Sequence, residues 1–186
     1  MILTDREIRL ALQLKTLKID PPPANEAFAS TSVDLTLDPS ISEFRTSATD
    51  SHFDPGRQDY PIEKVLGEQT FRINIDERGR YELEPKKLIL AWTTEYVDLR
   101  ESPRLAARVE GKSSLGRLGL AIHVTAPTIH AGFNGRIRLE IINHGHLPIR
   151  LRSGMKICQL IFEQTLGTPE KGYEGRFAGQ SVDRTV

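Results

Sequence analysis

The chain has 186 residues and balances 25 Lys and Arg against 25 Asp and Glu, a length that suits one domain with a single core. Zero net charge argues against a protein that coats nucleic acid, because such proteins carry a basic excess. A single cysteine, Cys158, excludes a disulfide within the chain and argues against a cysteine-based metal site. The N-terminus does not match a signal peptide, and no apolar window approaches the roughly 18 residues that span a bilayer. We therefore expect a cytoplasmic protein that binds neither nucleic acid nor membrane.

The N-terminal third predicts a short helix followed by a strand. Thr4 is a candidate N-cap, and Glu7 three residues later completes a capping box, so we expect a helix over about residues 5–15. Residues 32–37 alternate polar and apolar side chains, which is typical of a half-buried strand. Residues 40–67 are rich in Ser, Thr, Asp, Pro and Gly and predict a long excursion with weak structure.

The remainder of the chain predicts many short strands. Residues 76–79 (Asp-Glu-Arg-Gly) indicate a hairpin-like turn between strands at 72–75 and 81–83. Further strands are predicted at 88–97, 104–110, 118–125, 135–143, 149–151 and 156–163. Short strands at regular spacing favour a sandwich or barrel. We expect one mainly β domain over residues 1–186, with residues 168–186 as a C-terminal tail.

Residues 111–117 (GKSSLGR) concentrate glycines, hydroxyls and cations. Glycine lets the backbone approach a ligand closely, and hydroxyl and guanidinium groups donate hydrogen bonds to phosphate oxygens. The spacing does not match a Walker A loop. From composition alone, a polar turn between two strands is the simpler interpretation.

Residues 135–143 (GRIRLEIIN) place Ile137, Leu139 and Ile141 on one face of a strand and Arg136, Arg138 and Glu140 on the other. A carboxylate between apolar neighbours is a candidate general acid or base. The alternative is that Glu140 pairs with an arginine on an exposed face.

Two further patterns concern histidines and the tail. His123, His130, His144 and His146 invite a metal hypothesis, but the H-x-E…P-C-x-x-C arrangement of zinc deaminases is absent, and we predict no metal ligands. The tail from Tyr173 to Gln180 mixes aromatic, cationic and glycine residues. Such a tail can close over a ligand as a lid, although a frayed terminus is the common alternative.

Taken together, these segments resemble the dCTP deaminase family of the dUTPase-like superfamily. The stretches that carry the resemblance are SVDLTL (32–37), ARVEGKSSLGRLGLAIHVTA (107–126), AGFNGRIRLEIIN (131–143), PIRLRSGMKICQLIFE (148–163) and GYEGRFAGQ (172–180). The resemblance implies a distorted jelly-roll-like β barrel with a short N-terminal helix, assembled as a homotrimer whose active sites combine subunits. It also implies deamination of dCTP to dUTP and ammonia without zinc, with magnesium accompanying the triphosphate.

The resemblance further implies roles for individual residues. Glu140 would be the catalytic carboxylate, Ser113 and the carbonyl of Ala126 would hold the attacking water, and Arg117 would stabilise the transition state. Phe133 would pack against the sugar. The phosphate-contacting positions would be Lys112, Ser114, Tyr173, Arg176 and Gln180.

The chain departs from the family pattern at two positions. His130 stands where the family has an acidic residue that meets the sugar hydroxyl, and Thr128 replaces a cation found in some relatives. In dUTPases the acidic residue activates the hydrolytic water. The alternatives are a bifunctional enzyme that continues to dUMP, a dUTP diphosphatase, and a catalytically silent nucleotide-binding regulator on the same scaffold.

Overall fold

The computed structural model describes residues 1–46, 52–171, 173 and 179–182. Its helices are α1 (Asp5–Gln13), a 3₁₀ turn (Asn25–Ala27), α2 (Ile62–Gln69), α3 (Ile75–Arg78) and α4 (Ser113–Gly116). Its strands are β1 (Lys18–Asp20), β2 (Phe28–Ala29), β3 (Ser32–Phe44), β4 (Thr70–Asn74), β5 (Tyr81–Leu83), β6 (Leu88–Asp98), β7 (Leu105–Gly111), β8 (Leu120–Ala121), β9 (Thr128–Ile129), β10 (Asn134–Asn143), β11 (Ile149–Leu151) and β12 (Lys156–Gln164). Over these residues, no helix combines the length and apolar character needed to cross a membrane.

The capping box that begins α1 is confirmed. The backbone N–H of Thr4 donates to Oε2 of Glu7 at 3.0 Å, which satisfies a donor that the helix itself leaves unpaired. Ile8, on the inner face, is fully buried. The helix ends at Gln13, two residues before the predicted end.

The long strand β3 connects the two halves of a curled sheet. The first half of β3 pairs with β12, and β12 pairs in turn with β7. Strand β9 pairs with β7 and lies at the edge of the sheet. The second half of β3 pairs with β4 on one side and β6 on the other, and β10 and β8 follow β6. The register shifts between Leu37 and Ile41, around Pro39, which has no N–H to give to the ladder. The predicted mainly β class is therefore confirmed.

Asp38, at this bend, is nearly buried and fully partnered. Its Oδ1 accepts from the backbone N–H of Ser40 at 2.9 Å, and its Oδ2 pairs with Nη1 of Arg136 at 2.6 Å. Removing one partner of a buried pair leaves an uncompensated charge, so this contact fixes β10 against the corner of β3.

Three sequence-based expectations about local structure were wrong. Within residues 40–67, β3 continues to Phe44 and α2 begins at Ile62; residues 47–51 lie outside the described part. The predicted hairpin is absent, because α3 joins β4 and β5, and these strands pair with β3 and β11 instead of each other. The strand predicted at 118–125 is reduced to β8, since Gly119 has φ +92° and packs against the backbone of Gly145.

Candidate active site

A cleft of about 620 Å³ runs along β10. Five of the residues predicted or implied from the sequence line it: Ala126, Phe133, Glu140, Tyr173 and Gln180. The other lining residues are Ile62, Leu66, Leu90, Val109, His123, Thr128, Ile129, His130, Ile137, Arg138 and Leu139. The described chain therefore brings these five positions, which span more than fifty residues of sequence, to one concave site.

Glu140 reaches the cleft because β10 alternates strictly. Its inward neighbours Leu139 and Ile141 are fully buried in the core, whereas Glu140 is half-buried on the opposite face. In the register, Glu140 lies opposite Leu90 of β6, a buried apolar side chain that also lines the cleft. The carboxylate therefore borders an apolar wall, an arrangement suited to proton transfer away from bulk water.

Arg138 is the cation next to Glu140. It lies two residues away on the same face of β10, and its guanidinium carbon is 5.2 Å from the ring centroid of Trp92. Burial lowers the pKa of Arg138 and the charge of Arg72 acts in the same direction, whereas Glu140 opposes the shift. Glu140 therefore acts on Arg138 electrostatically, and both side chains line a cleft instead of the exposed face that the alternative of an arginine pair assumed.

Three rings form one wall of the cleft. Tyr173 stacks on His130 with ring centroids 5.5 Å apart, and its ring is tilted against Phe133 with centroids 5.9 Å apart. Phe133 is buried and His130 is exposed, so Tyr173 bridges the floor and the rim. A stack of this kind offers a flat apolar surface to a sugar or a base.

The tail returns to β10 at Gln180. Its Nε2 donates to the carbonyl of Arg136 at 2.9 Å, and the backbone N–H of Arg136 donates to the carbonyl of Gln180 at 3.0 Å. A side chain at Gly135 would meet this carbonyl, because a Cβ there lies 3.0 Å from it. Glycine at 135 therefore permits the tail to dock. Arg176, also predicted as a phosphate contact, lies outside the described residues.

The segment 111–117 lies elsewhere. Ser113, Ser114 and Arg117 are exposed on α4 and the residue after it, and none of them lines the cleft of its own chain. Lys112 pairs through Nζ with Oδ1 of Asp34 on β3. Its ammonium is thus held by a carboxylate within the chain.

Sequence reasoning missed several residues of the site. Ile62 and Leu66 of α2 line the cleft, although their segment was expected to have weak structure. Their spacing of four residues is typical of one helix face, and this signal was obscured by neighbouring polar and glycine residues. His123 also lines the cleft. The residues that the structure describes contain no group of three or more His, Cys, Asp or Glu able to hold a metal ion.

Solved structures with a similar fold define the class. A dUTPase from the S. aureus phage phi11 superposes with a TM-score of 0.50 at 12% identity, covering 87% of this chain and 98% of its own; this likeness places the fold in the dUTPase-like class. A dCTP deaminase from Agrobacterium tumefaciens superposes with a TM-score of 0.68 at 26% identity over 88% of this chain. The present chain spans about half the length of that one, 48%.

Sequence comparison is more specific. The model of the family described as dCTP deaminase-like matches residues 2–165. A relative from Aquifex aeolicus named "dCTP deaminase, dUMP-forming" is 38% identical over 97% of this chain and 91% of its own. A relative from Rhodospirillum rubrum named "dCTP deaminase" is 36% identical over 93% and 87%. The chain belongs to the dCTP deaminase-like family.

Proposed function

We propose that this protein is a hydrolase that converts dCTP and water to dUTP and ammonia, with Glu140 handling the protons. The observation that carries the proposal is the position of Glu140, half-buried beside Leu90 in a cleft that also holds Ala126 and Phe133. The family to which the chain belongs supports the same reaction.

The chemistry requires one carboxylate and one positioned water. Glu140 accepts a proton from water as its oxygen bonds to C4 of cytosine, and passes that proton to N3. The second proton then moves from the new hydroxyl to the amino nitrogen, the C4–N bond breaks and ammonia leaves with a C4 carbonyl formed. A carboxylate next to apolar walls suits this shuttle, and the carbonyl of Ala126 would accept a hydrogen bond from the water.

The rest of the catalytic set would come from a second copy of the chain in a homotrimer. Ser113 and Arg117 are exposed and do not line the cleft of their own chain, which supports a site completed by a neighbouring subunit. In a cyclic trimer, one α4 segment would serve each cleft. Ser113 would then hold the water, and Arg117 would stabilise charge that develops in the transition state.

The nucleotide would bind along the aromatic wall and beneath the tail. Phe133 and Tyr173 offer ring surfaces to the sugar, and Gln180 is already docked on β10. The phosphates would be contacted by Ser114, Arg176 and Lys112. The Lys112 ammonium would either leave Asp34 first or bind phosphate while it stays paired with Asp34. Magnesium would enter with the triphosphate as part of the substrate.

A dUMP-forming reaction is the second candidate, because several relatives carry that name, including one from Persephonella marina that is 40% identical over 97% of this chain. His130 stands at the position where an acidic residue would activate the second water, and its ring is stacked on Tyr173. We therefore propose dUTP as the product.

One assay separates these possibilities. The purified protein is incubated with dCTP, dUTP or CTP, and the products are identified by chromatography. We expect dUTP and ammonia from dCTP, and a loss of about 10²-fold or more in kcat for Glu140→Gln. The matched control is Glu77→Gln, an exposed glutamate of α3 that does not line the cleft. Accumulation of dUMP would identify the bifunctional reaction, and nucleotide binding without any product would identify the silent regulator.

A further inference from the structure

A second, smaller cavity of about 280 Å³ adjoins the cleft. Leu66 and Arg138 line both cavities. The other lining residues of the small cavity are Ser42, Gly67, Thr70, Phe71, Arg72 and Trp92.

The register of four adjacent strands builds this cavity. Arg72 of β4 lies opposite Ser42 of β3, which lies opposite Leu90 of β6. Arg138 of β10 lies opposite Trp92 of β6. Directly opposed residues project from the same face of an antiparallel sheet, so the two arginines, the serine and the tryptophan share one face.

The Nε of Arg138 lacks a hydrogen-bond acceptor there. This Nε is buried without a partner among the described residues, and the guanidinium lies over the Trp92 ring. The charges that act on it electrostatically are those of Glu140, Arg72 and Glu63. A buried N–H donor without an acceptor is unfavourable and unusual. Arg72, whose Nη2 donates to the carbonyl of Val182 at 2.8 Å, adds a second positive charge, and an anion between the two would interact favourably with both.

The remaining polar group that suits an anion is the hydroxyl of Ser42. The hydroxyl of Thr70 is already committed, since it donates to the carbonyl of Leu66 at 2.7 Å. The volume accommodates a small oxyanion but is small for a whole nucleotide, whose usual pockets are on the order of 300–1,000 Å³. A planar guanidinium matches phosphate oxygens well.

We infer that this cavity is a subsite for a phosphate group, with Arg138 and Ser42 as hydrogen-bond donors and Arg72 as a supporting charge. The phosphate is either free or carried by a nucleotide. The inference does not depend on the proposed deamination, because it concerns equilibrium binding.

Trp92 provides the readout, since it is the only tryptophan of the chain and lines the cavity. Inorganic phosphate is titrated into the full-length protein while its fluorescence is followed, with sodium chloride at matched ionic strength as the reference. We expect a saturable change with phosphate that chloride does not reproduce. A parallel titration compares dUMP with deoxyuridine. Saturation by dUMP but not by free phosphate would assign the group to a nucleotide.

Three variants locate the signal. Arg72→Gln is expected to weaken binding about tenfold or more, and Ser42→Ala about threefold or more. The matched control Arg80→Gln, an exposed arginine outside the cavity, is expected to bind like the wild type. A fluorescence change that follows ionic strength alone, or equal phosphate binding by Arg72→Gln and wild type, would overturn the inference. Circular dichroism of each variant verifies that it is folded.

Discussion

His130 stacks on Tyr173, with ring centroids 5.5 Å apart and an angle of 16° between the rings. Tyr173 belongs to the tail, whereas His130 belongs to the turn after β9. The contact therefore joins the tail to the rim of the cleft at the position where the family pattern has an acidic residue.

Removing the tyrosine ring should weaken substrate binding. An aromatic pair contributes about 0.5–1.5 kcal/mol beyond its burial, so we expect Tyr173→Ala to raise KM for dCTP roughly threefold to tenfold. The value of kcat should change less, because Tyr173 lies on the wall of the cleft and not beside Glu140. Steady-state kinetics measure both constants. Tyr173→Phe keeps the ring and should resemble the wild type; an unchanged KM in Tyr173→Ala would place the wall outside the substrate path.

A site shared between subunits can be tested by mixing two inactive variants. Glu140→Gln damages the cleft, and Arg117→Gln damages the exposed segment that would reach the neighbouring cleft. If each site combines two chains, some sites in randomly mixed trimers receive Glu140 from an Arg117→Gln chain and Arg117 from a Glu140→Gln chain. These intact sites make up to about a quarter of all sites. We expect ammonia release from dCTP to recover to that level after the variants are unfolded and refolded together.

The mixing experiment has a built-in reference. Each variant refolded alone should stay inactive, and wild-type protein taken through the same procedure defines full activity. Failure of the mixture to recover, despite recovery of the wild type, would mean that Glu140 and Arg117 act within one chain. Activity of Arg117→Gln refolded alone would mean that Arg117 is not required.

Glu43 makes stability depend on pH. Partial burial raises its pKa, but hydrogen bonds from Lys87 and Tyr81 outweigh this and hold the pKa below the ordinary glutamate value; the Tyr81 hydroxyl donates to Oε2 at 2.7 Å. The folded state therefore binds fewer protons than the unfolded state in mildly acidic solution. The stabilisation that ionised Glu43 contributes is present above the pKa of about 4.3 for a glutamate in the unfolded chain. It is lost as the pH falls through the lower pKa of Glu43 in the folded state.

Glu43→Gln should flatten this dependence. Urea unfolding between about pH 6 and pH 3 should show a smaller loss of unfolding free energy for Glu43→Gln than for the wild type, a difference of at most about 1.4 kcal/mol per pH unit. Glu170→Gln serves as the control, since this residue is exposed. Equal slopes in Glu43→Gln and wild type would contradict the assignment.

Local patterns predicted the parts of the structure that depend on neighbours in sequence. The alternation around Glu140 gave β10 and the correct face of each side chain, because period-2 patterning is a property of one strand. The hairpin at 76–79 failed because the partner of β5 is β11, almost seventy residues away. Strand pairing is decided by long-range packing, which a turn signal between Asn74 and Tyr81 does not encode.

The residues of the candidate site also fall into those whose position the sequence predicted and those whose position it did not. Glu140 and Phe133 lie on one strand and the turn before it, so their placement along the same cleft followed from the sequence. The geometry of Ser113 and Arg117 relative to the cleft did not follow, since both are exposed and outside it in the single chain. Helix α2 was missed because Gly67 and its polar surroundings weaken helix propensity, and contact with the sheet compensates for that weakness.

Helix α2 gives a further prediction about the cleft. Ile62 lines the same cleft as Leu90 and Glu140 and adds apolar surface to it. Truncation in Ile62→Ala removes apolar surface worth about 1–2 kcal/mol when a ligand covers it. We expect a rise of roughly fivefold or more in KM for dCTP, measured by steady-state kinetics. Lys64→Ala, on the exposed side of the same helix, is the matched control. If both variants keep the wild-type KM, α2 is not part of the substrate path and the cleft is defined by the sheet and the tail alone.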